Sequence, residues 1–88
     1  MKKLNVQFSA NAWSQYSEIV KTDKRMTRQI NKLIDDTMRN PFNGLGKPEP
    51  LKLELQGFWS KRIDKKNRMV YRVTTDAIQI VALKGHYD

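Results

Sequence analysis

The 88-residue sequence contains no cysteine and only one histidine, His86. Without cysteine the chain can form no disulfide and offers neither a thiolate metal ligand nor a cysteine nucleophile, which is typical of a cytoplasmic protein. One histidine cannot build a multi-histidine metal site, so we expect no metal and no other cofactor. The sequence has no run of about 18 apolar residues, which excludes a membrane-spanning helix.

Acidic residues are scarce as well. Nine Asp and Glu stand against 17 Lys and Arg, which gives a formal net charge of +8 at pH 7. Apolar residues make up 39% and charged residues 30% of the chain, enough for one modest hydrophobic core. We therefore predict a single domain over residues 1–88 whose partner is a polyanion.

The N-terminal segment begins with an alternating pattern and then becomes helical. Leu4, Val6 and Phe8 alternate with polar residues, which is typical of a half-buried strand. Ser9 can act as the N-cap of a helix that runs to about Lys21. The apolar residues of this helix are Trp13, Tyr16, Ile19 and Val20.

A second helix follows directly. Thr22-Asp23 provides a capping signal, and the helix must end by Asn40 because Pro41 disfavours a helical residue before it. Its apolar stripe consists of Met26, Ile30, Leu33, Ile34 and Met38. Residues 41–50 hold all three prolines and two of the four glycines, so we predict a stiff surface loop without regular structure.

The remaining sequence is strand-like. Leu51, Leu53 and Leu55 alternate, which predicts a strand that begins at Leu51 and ends near Gly57. Three further strand-like runs follow at 58–63, 68–74 and 77–84. The predicted fold class is α+β. An N-terminal strand and two helices pack on one face of a four- to five-stranded, largely antiparallel sheet.

The side chains of the hairpin that joins residues 58–63 to 68–74 predict its register. If Arg62 pairs with Arg68, one face is apolar and the other basic, whereas a shift by one residue mixes the two. In this register Lys61 is the one polar residue on the core face. That face also carries Trp59, Ile63, Met69, Tyr71 and Val73, and the other carries Phe58, Ser60, Arg62, Arg68, Val70 and Arg72.

The positive charge is concentrated in the loop and the sheet. Residues 47–72 contain eight basic and three acidic side chains. Phe58 lies among these cations, and a basic sheet that offers stacking surfaces suits single-stranded RNA better than duplex DNA. The basic residues are Lys47, Lys52, Lys61, Arg62, Lys65, Lys66, Arg68 and Arg72.

Three features could support catalysis. Histidine, with an ordinary pKa of about 6.5, can donate and accept protons near neutrality, but His86 could equally be an exposed terminal residue. Glu49, held between two prolines, could be a general base or a salt-bridge partner. Arg68 faces Arg62, and two adjacent guanidinium groups favour an anion between them.

Together these groups meet the requirements of metal-free RNA cleavage. A base must deprotonate the 2′-hydroxyl, cations must stabilise the phosphorane-like transition state, and an acid must protonate the leaving 5′-oxygen. Composition alone does not separate this chemistry from binding. A non-catalytic RNA- or ribosome-binding protein is the alternative, and a DNA-binding regulator ranks third because neither helix has a comparable basic face.

Several ordered motifs reveal a family resemblance across essentially the whole chain. The sequence resembles the YoeB-like toxins of the RelE superfamily, the toxin halves of bacterial toxin–antitoxin pairs. The motifs are Thr22-Asp23-Lys24-Arg25, Lys32-Leu33-Ile34-Asp35-Asp36-Thr37, Gly44-Leu45-Gly46-Lys47-Pro48-Glu49-Pro50-Leu51-Lys52, Gly57-Phe58-Trp59-Ser60-Lys61-Arg62-Ile63, Arg68-Met69-Val70-Tyr71 and His86-Tyr87.

The resemblance implies a RelE-like fold of the microbial-RNase type and a ribosome-dependent mRNA endonuclease that cuts mRNA in the A site of the 30S subunit. It implies that Glu49 is the general base, His86 the general acid and Arg68 the group that stabilises the transition state. Tyr87 would orient or stack on the substrate. Lys52 and Arg62 match phosphate-binding positions, and we add Lys47 and Arg72 from the basic cluster as further RNA contacts.

The resemblance also implies partners. They are mRNA and rRNA on the ribosome, a cognate YefM-like antitoxin, a second copy of the toxin in a homodimer, and operator DNA only in complex with the antitoxin. Asp88 extends past the His86-Tyr87 end at which relatives often stop.

Overall fold

The computed structural model describes residues 3–85 and contains five strands and two helices arranged as a two-layer α+β fold. The sheet order is β1-β5-β4-β3-β2, with β1 parallel to β5 and the other neighbours antiparallel. Neither helix in residues 3–85 is long and apolar enough to cross a membrane. The elements are β1 Asn5–Phe8, α1 Ala10–Thr22, α2 Lys24–Arg39, β2 Glu49–Pro50, β3 Trp59–Arg62, β4 Arg68–Val73 and β5 Ala77–Ala82.

Local capping determines where the two helices begin. The Ser9 hydroxyl accepts a hydrogen bond from the Ala12 amide at 3.0 Å, and the Asp23 carboxylate accepts one from the Met26 amide at 2.9 Å. Both interactions satisfy backbone donors that a helix leaves free in its first turn. The second helix ends at Arg39, with Asn40 as its C-cap. The predicted boundaries of both helices are confirmed.

The core lies between the helices and one face of the sheet. The stripe of α2 packs there, with Ile30 fully buried and Leu33 4% exposed, against strand residues such as Met69, Tyr71 and Ile80. The opposite sheet face, which we call the helix-free face, carries the alternate residues of β3 and β4, among them Arg62 and Arg68. The predicted arrangement of two helices on one side of a mostly antiparallel sheet is confirmed.

The register of β3 and β4 is also the predicted one. Arg62 lies opposite Arg68 and Trp59 lies opposite Tyr71. Lys61 therefore points into the core, where it is fully buried. The β4–β5 ladder shifts register between Val70 and Tyr71, because β5 contributes one extra residue there.

The strand predicted from Leu51 to near Gly57 is wrong. The strand in this region is β2, which covers only Glu49–Pro50 and pairs with β3, and residues 53–55 form a 3-10 turn instead. Regular structure therefore also enters the loop predicted over 41–50, where Pro50 is tolerated because β2 is an edge strand.

The alternating leucines of this segment serve a different purpose. Leu53 has φ 57° and is 89% exposed, so the backbone leaves the extended conformation here and the strand does not continue. Leu51 is buried against Val70 and Ala82 in a second, small apolar cluster on the helix-free face. An apolar residue at every second position thus reflects a segment that folds back onto the sheet.

Truncation of Leu33 tests the assignment of the core face. We expect Leu33→Ala to lower the free energy of unfolding by about 2–5 kcal/mol, because the lost methyl groups leave a cavity. Urea denaturation monitored by tryptophan fluorescence measures this value. The exposed Lys65→Ala is the control and should change it little. An unchanged unfolding midpoint for Leu33→Ala would contradict the burial of this helix face.

Candidate functional site

Strand pairing brings Glu49 and Arg68 together on the helix-free face. Glu49 lies opposite Ser60 across β2 and β3, and Ser60 lies opposite Val70 across β3 and β4. Arg68 lies two residues before Val70 on the same face, with β3 between it and Glu49. Its side chain reaches across β3, so that Nη1 lies 3.6 Å from the Glu49 Oε1. We call this pair the Glu49–Arg68 site.

The two side chains of the Glu49–Arg68 site differ strongly in exposure. The Arg68 side chain is 8% exposed and the Glu49 side chain 60% exposed. Among residues 3–85, the buried Nε and Nη1 atoms of Arg68 have no hydrogen-bond partner. Each buried donor left unpaired costs about 1–3 kcal/mol, and more when the group is charged. An anionic ligand with several acceptor oxygens would satisfy these donors, and the exposed Glu49 carboxylate lies beside them.

Of the other predicted contacts, Arg62 shares a cavity with Arg68. Arg62 is exposed opposite Arg68, and the two line a shallow cavity of about 240 Å³ together with Asp64 and Lys65. Two neighbouring cations and unpaired donors form a basic depression suited to phosphate.

The remaining predicted contacts lie farther out. Lys47 and Lys52 are exposed on either side of β2. Arg72 is four residues beyond Arg68 on β4, a distance of about 13 Å along a strand, so it does not join the Glu49–Arg68 site.

His86 and Tyr87 lie outside the described residues. The residue that precedes them, Gly85, accepts a hydrogen bond from the Arg68 amide at 3.1 Å and donates one to the Asn67 side chain at 3.2 Å. The last described residue of the chain is therefore attached to the start of β4, next to the Glu49–Arg68 site.

Sequence reasoning missed a buried hydroxyl and an ion pair between a buried lysine and a partly buried aspartate. The Ser60 Oγ is buried directly opposite Glu49 and has no hydrogen-bond partner among residues 3–85. On the core side, the Lys61 Nζ lies 3.4 Å from the Asp36 Oδ2 and donates to the Asn40 carbonyl at 3.0 Å. The only signal for this pair was the position of Lys61 on an otherwise apolar face.

This ion pair, the Lys61–Asp36 anchor, also fixes the loop that leads to Glu49. The Asp36 Oδ2 accepts a hydrogen bond from the Leu45 amide at 2.9 Å, and the Gly46 carbonyl accepts one from the Arg62 amide at 2.7 Å. A Cβ on Gly46 would come within 2.9 Å of the Lys61 Cβ, and its φ of +84° also requires glycine. The chain is thus held three residues before Glu49.

Burial and charge shift the pKa values of both members of the anchor. Burial lowers the pKa of Lys61 below its ordinary value, and the charge of Asp36 opposes this only in part. For Asp36, burial by itself would raise the pKa. The hydrogen bonds from Leu45 and Asn40, together with the Lys61 charge, outweigh it and hold the pKa of Asp36 below 3.8. The folded state therefore favours the Asp36 carboxylate.

Within residues 3–85 no three His, Cys, Asp or Glu side chains come close enough together to hold a metal ion. The charged groups in the described part of the site are the Glu49 and Asp64 carboxylates, the Arg62 and Arg68 guanidinium groups and the neighbouring lysines.

Comparison with known proteins identifies the family. The profile of the family described as "YoeB-like toxin of bacterial type II toxin-antitoxin system" matches residues 8–87. Toxin YoeB of Escherichia coli K12 is 51% identical over 80 residues, which cover 91% of this chain and 95% of that protein. The chain belongs to the YoeB-like toxin family.

Solved structures of YoeB toxins share the fold. A YoeB/ParE toxin from Agrobacterium tumefaciens is 38% identical, with a TM-score of 0.90 over 96% of this chain and 100% of its own. A YoeB dimer from Staphylococcus aureus is 41% identical, with a TM-score of 0.89 over 97% and 99% of the two chains. A YoeB–YefM complex from S. aureus is 40% identical, with a TM-score of 0.88 at the same coverage. The YoeB family resemblance and the fold predicted from it are both confirmed.

Removal of the Asp36 charge tests the anchor. Asp36→Asn leaves the Lys61 ammonium buried without its counter-charge, so we expect a loss of about 3–5 kcal/mol in the free energy of unfolding at pH 7. Since the folded state lowers the pKa of Asp36, its contribution is present above pH 3.8 and is lost as the pH falls through the folded-state value. The difference in stability between the variant and the wild-type protein should therefore shrink only as the pH falls below 3.8.

Urea titrations between pH 2 and pH 7 measure both effects. Asp35→Asn is the matched control because this neighbouring carboxylate is 53% exposed and forms only surface ion pairs. Equal stability of Asp36→Asn and Asp35→Asn at pH 7 would contradict the proposed role of the anchor.

Proposed function

We propose that this YoeB-family toxin is a ribosome-dependent mRNA endoribonuclease that cuts mRNA in the A site and stops translation. The observation that supports this most strongly is the buried Arg68 guanidinium, which has two unpaired donors beside the exposed Glu49 carboxylate. A phosphodiester placed there would supply acceptor oxygens to Arg68 and bring a 2′-hydroxyl towards Glu49. Binding alone would not require the Glu49 carboxylate beside the Arg68 guanidinium, where it repels phosphate.

The proposed reaction is a metal-independent transesterification. Glu49 takes the proton of the 2′-hydroxyl, whose oxygen then forms a bond to phosphorus while the bond from phosphorus to the 5′-oxygen breaks. Arg68, with Arg62 beside it, stabilises the negative charge that develops on the phosphoryl oxygens. His86 protonates the leaving 5′-oxygen. The products are a 2′,3′-cyclic phosphate and a free 5′-hydroxyl.

Two features support the assignment of the acid. Gly85, which directly precedes His86 in the sequence, accepts a hydrogen bond from the Arg68 amide at the edge of the Glu49–Arg68 site. His86 is also the only histidine of the chain. We propose that Tyr87 orients or stacks on the substrate and that Lys47, Lys52 and Arg72 bind RNA around the Glu49–Arg68 site.

We further propose the partners of the toxin from its relatives. The S. aureus protein forms a dimer and a complex with YefM. By analogy, this chain would form a homodimer and would be neutralised in the cytoplasm by a YefM-like antitoxin, and it would bind operator DNA only within that complex. A net charge of +8 suits both an acidic antitoxin and ribosomal RNA.

Substitution of the reacting groups tests the proposed function. We expect Glu49→Gln and His86→Gln each to slow mRNA cleavage about 10²- to 10⁴-fold, because each removes a proton-transfer group. Arg68→Ala should also reduce cleavage, since the transition-state charge loses its main partner. Primer extension on a message translated in a purified system measures the cut, and Lys65→Ala is the control.

The same variants separate the proposed function from its alternative. A non-catalytic RNA- or ribosome-binding toxin would stop growth with Glu49→Gln and His86→Gln as effectively as with the wild-type sequence, but would need Arg62 and Arg68. If the Glu49→Gln, His86→Gln double variant stops growth while the message stays intact, the proposed catalysis is wrong and the binding alternative is favoured.

A further inference from the structure

A second polar feature crosses the helix-free face near the other end of β4. Gln7, Gln79 and Arg72 lie side by side on β1, β5 and β4. The Gln79 Nε2 donates to the Gln7 Oε1 at 2.8 Å, and the Arg72 Nε donates to the Gln79 Oε1 at 2.6 Å. The Arg72 guanidinium lies over the Phe58 ring, 5.6 Å from its centroid. We call these four side chains the Arg72 ladder.

The Arg72 ladder lines a groove that is separate from the Glu49–Arg68 site. The groove has a volume of about 320 Å³ and is bordered by Ser9 and Val81. The small apolar cluster that includes Leu51 and Val70 covers the sheet between the two places. The groove is therefore not part of the cavity at Arg68, but it opens on the same face of the sheet.

The chemistry of the groove favours one nucleotide of a single-stranded RNA. The Arg72 guanidinium is held in place by Gln79 and by the Phe58 ring, so its outer face is already oriented to stack on a base. Within residues 3–85, the Arg72 Nη atoms and the Gln7 Nε2 donate no hydrogen bond, which leaves donors for phosphate or base acceptors. An acidic peptide would use the charge of Arg72 but would not need a flat, ordered stacking surface.

We propose that the Arg72 ladder binds a nucleobase of the RNA, outside the nucleotides that react at the Glu49–Arg68 site. This inference rests on the proposed ribonuclease function for its substrate. Because Arg72 is about 13 Å along β4 from Arg68, the bound base belongs to a flanking nucleotide. Such a contact contributes to substrate binding equally before and during the reaction, so its loss should raise KM and leave kcat unchanged.

Equilibrium binding tests the groove without any need for cleavage. In a Glu49→Gln background, the protein is titrated into a short, fluorescein-labelled single-stranded RNA at low salt. We expect Arg72→Lys, which keeps the charge but lacks the planar face, to weaken binding about tenfold, in the range of one lost base stack. Arg28→Lys is the matched control because Arg28 is exposed on α2, and it should bind like the parent protein.

Two further measurements assign the effect to a base at this place. The penalty of Arg72→Lys should disappear when the strand carries an abasic sugar at the nucleotide that binds there. A strand with 5-iodouracil at the same position should photo-crosslink to Phe58, as mapped by mass spectrometry.

Several results would overturn the proposal. Two of these are equal RNA binding by Arg72→Lys and its parent protein, and a penalty that remains with every abasic strand. The others are no measurable RNA binding by the parent protein, and a loss of affinity in Arg72→Lys that appears in a titration with a polyglutamate peptide but not with RNA. Cleavage assays with Glu49 intact separate the two hypotheses. If the wild-type protein cuts mRNA and Arg72→Lys has the same KM, the proposal for the groove is wrong and the ribonuclease function stands. If the wild-type protein does not cut mRNA but the base-dependent binding penalty is found, only the ribonuclease function is wrong.

Discussion

The pairing of β3 with β4, with Arg62 opposite Arg68, is the constraint on which both faces of the sheet depend. Side chains alternate along a strand, so this register sends Lys61 to the helices and leaves Arg68 near Glu49 on the other side. A shift by one residue would bury Arg62 in the core and expose Lys61. Core and candidate site are therefore specified by the same set of backbone hydrogen bonds.

The same strand connects the anchor to the site. Lys61 lies between Ser60, which is opposite Glu49, and Arg62, whose amide holds the Gly46 carbonyl. The ion pair of Lys61 with Asp36 thus fixes the loop behind the sheet while the neighbouring residues shape the front. A buried ion pair contributes little net stability, so its value here is the unique position that it gives to the loop before Glu49.

The helix-free face combines two kinds of cation. Arg68 is buried, and within the described part of the chain its Nε and Nη1 have no hydrogen-bond partner, although Nη1 lies 3.6 Å from the Glu49 carboxylate. Arg62, Lys47 and Lys52 are instead exposed and screened by solvent. Buried, ordered charge suits the stabilisation of a transition state, and exposed charge suits the attraction of a polyanion. The cations behind the net charge of +8 therefore include groups with two separate roles on one surface.

Much of the fold followed from local sequence. Ser9 and Asp23 cap their helices through side chains only three residues from their partners, the stripe of α2 has a helical period, and the polar and apolar faces of β3 and β4 admit one register. Glu49, Arg62 and Arg68 could be nominated as site residues because Glu49 stands between two prolines and the predicted register places Arg68 opposite Arg62. Capping residues and side-chain periodicity depend on residues that are close in the chain, so they can be recognised in the sequence itself.

Other features were decided only by the tertiary structure. The leucines of residues 51–55 follow a strand pattern, yet the backbone leaves the extended conformation at Leu53. Leu51 instead packs on the face of the sheet, against Val70 and Ala82. Asp36 meets Lys61 across 25 positions, and Gln7 meets Gln79 across 72. Such contacts depend on which elements lie side by side in space, and no local sequence pattern indicates which residues so far apart in the chain will meet. The sequence alone thus determined the helices, the register of the central hairpin and the charge of the site, whereas burial, the anchor and the groove arose from packing.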